Sequence, residues 1–203
     1  MKPAHPATRR LALPATLLCT ILIGGCASAV SPLYVKSDAV TDPAIVGTWT
    51  SSDKGDPGTV RIAKAQGFSY EISVSDAKSA DNTVYDAHLV KLGGSAFADL
   101  FLTKFRHAGQ DIELPAGAVA LHQIVKYRVA GDDLYCSGID SDALGKAAKQ
   151  TGFSLQLRDP EDGNAPEVGG DAVIISTTAE LRRYFSAHPA DIFGEVDHFK
   201  RQH

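Results

Sequence analysis

"FSYEISV", residues 68–74, decides how this chain folds. Phe68, Tyr70, Ile72 and Val74 fall on one side of an extended backbone, and Ser69, Glu71 and Ser73 on the other. Successive side chains of a strand point to opposite faces, so this alternation predicts an antiparallel strand with one buried face. "TVRIAK", 59–64, repeats it, with Val60 and Ile62 on one face and Thr59 and Arg61 on the other. Working outward, the same reading predicts strands at 46–51, 58–64, 67–74, 83–92, 95–103, 119–130, 133–139 and 171–176, with a shorter one at 153–158. Between them lie turn-forming stretches such as "KAQG" (64–67), "LGGS" (92–95) and "AGDD" (130–133).

Two helices interrupt the strands. "DSDALGKAAKQTG", from 140, has Ser141 or Asp142 to cap it and Gly152 to stop it. "STTAELRRYFSAHP", from 176, pairs Thr177 with Glu180 as a capping box, sets Leu181, Tyr184 and Phe185 at helical spacing, and ends at Pro189. The tail after it reads as a solvated end. Consecutive strands followed by one helix predict closure, because an open sheet of this length leaves exposed edges that a barrel removes. The expected fold is mainly β: an antiparallel up-and-down barrel of about eight strands with a short inserted helix and a C-terminal helix.

The first thirty residues bear on location. Lys2, Arg9 and Arg10 precede an apolar run from Leu11 to Ile23, too short for a membrane-spanning helix and of signal-peptide length. The run ends in Leu22-Ile23-Gly24-Gly25-Cys26. This resembles the lipobox of bacterial lipoproteins: an aliphatic residue, two small residues and a cysteine. The resemblance implies a signal peptide over 1–25, acylation of Cys26, and a membrane anchor made of acyl chains. Position 27 is Ala rather than the aspartate that holds many such proteins at the inner membrane, so the resemblance implies the inner leaflet of the outer membrane, facing the periplasm. Residues 26–43, small, polar and bracketed by Pro32 and Pro43, read as a lipidated tether, with the folded domain over 44–203.

Loss of residues 1–25 leaves 178 of 203 residues, enough for one full core. It removes three basic residues, so the formal charge moves from −4 to −7. That acidic balance argues against nucleic acid as a partner and against an electrostatic grip on anionic lipid. Cys19 leaves with the signal and Cys26 takes lipid, so Cys136 has no partner for an internal disulfide and reads as a core thiol.

"AIVGTWTSS", 44–52, carries a second resemblance. Gly47-Thr48-Trp49 resembles the Gly-x-Trp that opens lipocalins, where the tryptophan packs across the closed end of the barrel. "VIISTTAELRRYF", 173–185, is similar to the lipocalin last strand and helix. The family's arginine, which stacks on that tryptophan, is replaced here by Thr177, and its midway Thr-Asp-Tyr is absent. The resemblance implies a fold and a location, and no activity.

Asp99 is the side chain most open to chemistry. In "FADLFLTKF", 97–105, Phe97, Asp99 and Phe101 share one face. With that face inward, the carboxylate orients a ligand or acts as a base, together with cavity residues Tyr70 and Ile72. The alternative is a carboxylate that caps backbone groups or pairs with a basic side chain. His122 lies on the polar side of "LHQIVKYRV", away from Val125, Tyr127 and Val129, and comes within reach of Asp99 in one register only. No Gly-x-Ser-x-Gly elbow supplies a nucleophile. Asp86 and His88 share a face but make a weak metal pair, and "DSDALGKAAKQT", 140–151, fails as a calcium loop at Leu144 and Thr151. No cofactor is expected. The resulting expectation is a non-enzymatic envelope lipoprotein that binds a small apolar ligand or an envelope partner. Its alternatives are a filled barrel that acts by interaction, and a hydrolase-type enzyme using Asp99 and His122.

Overall fold

The computed structural model describes residues 27–52, 58–75, 81–107, 110–112, 121–151, 155–157, 172–188 and 190–203. Lipidation at Cys26 therefore lies outside the described residues. Among these residues twelve strands follow in chain order: β1 Ser28–Ala29, β2 Gly47–Ser51, β3 Thr59–Lys64, β4 Ser69–Ser75, β5 Asn82–Leu92, β6 Ser95–His107, β7 Gln110–Ile112, β8 His122–Ala130, β9 Asp133–Gly138, β10 Leu155–Leu157, β11 Ala172–Ile174 and β12 Asp197–Arg201. The helices are α1 Ser141–Thr151 and α2 Thr178–Ala187.

Eight strands, β2, β3, β4, β5, β6, β8, β9 and β12, pair in chain order, each antiparallel to the next. β12 then pairs with β2 and closes the ring. This is the up-and-down barrel expected from the alternation, and closure removes the edges. β1, β10 and β11 form a small extension, with β1 joined to β8 and to β11.

Two apolar clusters result. The inner one fills the barrel with Trp49, Val60, Ile62, Tyr70, Ile72, Tyr85, Leu89, Leu100, Tyr127, Leu134, Phe199 and their neighbours. The outer one lies against the barrel wall, where Val90, Leu92, Phe97 and Ile124 meet Leu144 of α1 and Leu181, Tyr184 and Phe185 of α2. α2 is held at its start by the expected capping box of Thr177 and Glu180. At Gly93 (φ 55°) a β-carbon would sit 2.5 Å from the Ser186 carbonyl oxygen, so the tight β5–β6 turn can approach α2 only as glycine.

The structure departs from the expected element positions in several places. Residues 27–43 are no tether: Ala27, Ser28, Ala29 and Leu33 are buried, and folded structure starts well before 44. Small residues there serve close packing against β8 and β11. Residues 172–174 are a strand, yet lie outside the barrel beside β1. The last barrel strand is β12, in the tail that reads as solvated, because its only fully buried side chain is Phe199. Phe68 precedes β4 in a turn and is 52% exposed, so the strand face starts at Tyr70.

Candidate functional site

The barrel interior comes first, since a carrier needs room there. Tyr70 and Ile72 point inward as expected. Among the described residues, an interior cavity bordered by Ile72, with Val60, Leu100, Leu134 and Phe199 in its lining, measures about 30 Å³. That is room for a water or two, not for the ligand of a carrier, whose pockets run to roughly 300–1,000 Å³. Cys136 packs partly buried against this interior, and burial pushes its thiol up to about 12, as expected of an inert core thiol.

Phe97, Asp99 and Phe101 do not line the interior. On β6 the inward side chains are Ala98 and Leu100, and Phe97 belongs to the outer cluster. There Phe97 packs edge-on to Phe185, with ring centroids 5.4 Å apart. Phe101 lies beside His122 at 5.5 Å. The expected inward face is therefore the outward one. Both sides of this wall are covered, so both read as apolar and alternation alone cannot choose between them.

Asp99 is 1% exposed and fully engaged. One carboxylate oxygen, Oδ1, lies 2.7 Å from His122 Nδ1. The other, Oδ2, accepts the backbone N–H of Leu33 at 2.5 Å and of Tyr34 at 3.2 Å. The β6–β8 register, Phe101 opposite His122 and Asp99 opposite Ile124, makes Asp99 and His122 diagonal neighbours. So the two do meet, and their common business is to hold residues 27–42, a strap laid across the outside of the barrel.

Further contacts hold the same strap. Arg182 of α2 donates to the Leu33 carbonyl at 3.1 Å and pairs with Asp38. Tyr34 stacks on His88 with ring centroids 3.8 Å apart, and burial beside Asp99 and Asp86 raises its hydroxyl pKa. Val40 N donates to Leu89 O at 2.9 Å, on the part of β5 that runs past the end of β4. Asp42 N donates to the Tyr70 hydroxyl, and the Tyr127 hydroxyl donates to Asp42. Tyr127 is raised by its burial and by Asp42. The chain then enters a 3-10 turn at Pro43–Ile45 and places Ile45 in the barrel core.

Gly47 and Trp49, expected to close the barrel, meet the chain's last strand. The guanidinium of Arg201 lies over the Trp49 ring, 4.0 Å from its centroid, and donates to the carbonyls of Val46 and Ala44 at 2.6 Å each. Trp49 Nε1 donates to Ile45 O at 2.9 Å. Gly47 has φ 147°, and a β-carbon there would lie 2.5 Å from the guanidinium, so glycine is what lets Arg201 in. The side chain stacked on Trp49 is thus Arg201, which sequence order hides until the last strand is placed.

Comparison with protein-family models, with curated proteins and with solved structures gives no match for this chain.

Proposed function

We propose that this chain is a lipid-anchored lipoprotein of the bacterial cell envelope, non-enzymatic, working through contacts on its outer surface rather than through cargo in its barrel. The observation that carries the reading is the packed interior: among the described residues, the cavity lined by Val60, Leu100 and Phe199 measures about 30 Å³, too small for a small apolar ligand. A filled barrel sets the interaction reading above the carrier reading. Asp99 argues against the hydrolase reading, because both its oxygens already serve His122 and the strap. The basic start, the short apolar run and the Leu22–Cys26 box support a signal peptide over 1–25 and acyl chains on Cys26. Ala27 supports the outer membrane, on the leaflet facing the periplasm. No helix among the described residues is long and apolar enough to cross a membrane. On this reading the acyl chains are the anchor.

Labelled palmitate in a bacterial host tests it. The wild-type chain should incorporate label and sediment with membranes, and Cys26→Ser should do neither. A wild-type chain without label, or a Cys26→Ser chain that stays equally membrane-bound, overturns the proposal.

A further inference from the structure

We infer that the barrel is held flat against the bilayer, with the groove between β8, β9 and residues 190–196 meeting the lipid headgroups. The inference rests on the reading of Cys26 as the lipidated residue. Its warrant is the lack of slack after that residue. Ala27 is 1% exposed and its N–H donates to Ile139 O at 3.3 Å. Ser28 and Ala29 are already paired with β8 and β11, Leu33 is fully buried, and Asp99 holds the next turn of chain. Adjacent α-carbons lie 3.80 Å apart, so the fixed body begins one residue from the acyl chains. A free chain over 26–43 would instead stand the barrel off by roughly 20–25 Å.

The register tells which face this is. Ser28 lies opposite Gln123 and Ala29 opposite His122, on the edge of β8 that β9 takes over from Val125, and the Ala27 N–H is received by Ile139, one residue past β9. Lys126 is three residues along β8 from Gln123, the partner of Ser28, or about 10 Å at the strand rise. Residues 190–196 lie alongside: Ile139 forms a bridge with Phe193, and Asp140 N donates to Ile192 O at 2.8 Å. The groove there, about 370 Å³, has Lys126, Arg128, Tyr135, Ser137, Phe193 and Val196 among its lining.

The chemistry of that lining fits a phospholipid surface. Lys126 Nζ sits 5.9 Å from the Phe193 ring centroid, and Arg128 lies 4.1 Å from that of Tyr135. These are two cations on aromatic rings, with Val196 58% exposed next to them. Cations meet phosphate, and the rings and valine meet the glycerol and upper acyl region. Asp191 on the same segment is held by His188, and Glu195 is exposed. The face is therefore only weakly attractive alone and needs the acyl chains to hold it down.

The test is lysine acetylation of the mature lipidated protein, in vesicles of phosphatidylethanolamine and phosphatidylglycerol and in detergent micelles. Lys64, exposed at the end of β3 on the side of the ring opposite β8, is the reference. Lys126 should lose reactivity in vesicles by roughly fivefold, the equivalent of about 1 kcal/mol for a basic residue at an anionic surface, while Lys64 is unchanged. A Gly/Ser segment inserted between Cys26 and Ala27 should abolish that protection and leave the acylation intact. Unprotected Lys126 in a chain whose mass shows acyl groups overturns the inference and leaves the anchor reading standing. A chain without acyl groups that does not float with the vesicles removes the anchor reading, and the inference falls with it.

Discussion

Asp99 and His122 meet at 2.7 Å on the outer wall of the barrel, and the same carboxylate holds the backbone of Leu33 from a strap some 66 residues earlier in the chain. A buried carboxylate that accepts from two amides and an imidazole is costly to disturb, because its partners are left unsatisfied.

Asp99→Ala should therefore cost about 2–4 kcal/mol in denaturant unfolding. Asp99→Asn keeps one acceptor for the strap amides and should cost about half as much. Hydrogen exchange gives the sharper readout: the amides of Leu33, Tyr34 and Ala29 should speed up far more than that of Ile72. Uniform acceleration would mean that Asp99 supports the barrel as a whole rather than the strap.

Arg201 is the second fastening. Replacing it with alanine removes two carbonyl partners and the cover over Trp49, at about 2–4 kcal/mol. Trp49 fluorescence should shift to the red as water reaches the ring. Arg201→Lys should recover little, since an ammonium cannot span two carbonyls while lying flat on an indole. Gly47→Ala forces a side chain into the guanidinium at a positive φ and should cost about 1–3 kcal/mol or more.

Barrel closure carries a pH signature. Asp133 accepts from His198 at 2.5 Å and from Lys200, both on β12, and these partners hold its carboxyl below its ordinary value. A carboxylate with a lowered folded pKa stabilises above its unfolded value, and the gain is lost as pH falls through the folded value. Asp133→Asn should thus lower Tm at neutral pH, and the difference from wild type should vanish as pH drops below 3.8. A difference that persists in acid would point to packing instead of charge.

The packed interior makes its own prediction. Phe199→Ala removes a fully buried ring from β12 and should cost about 3–5 kcal/mol. The space left should admit xenon, visible as a shift in its NMR line, whereas wild type should show none. Uptake by wild type would contradict the filled barrel.

How much of this was legible in the sequence follows from what alternation can encode. β3, β4, β5, β8 and β9 announce themselves because one face is polar, and so does α2 through its capping box. The side of β6 that faces inward is not legible, since Phe97 and Leu100 are both buried, one on each side of the wall. β12 is hidden because Asp197, His198, Lys200 and Arg201 surround a lone Phe199. The strap is hidden because alanine and serine are what a close-packed segment needs and also what a flexible one contains. Asp99 and His122 were each legible as unusual side chains. Their meeting depends on the β6–β8 register, which the long loop expected over 104–118 leaves open in the sequence.

Native mass spectrometry of the chain purified gently from a bacterial envelope tests the central claim most directly. One species is expected: the chain from Cys26 onward with its acyl groups and no other releasable mass, unchanged after incubation with lipid extract. A defined small molecule that denaturation releases would contradict it and make this barrel a carrier.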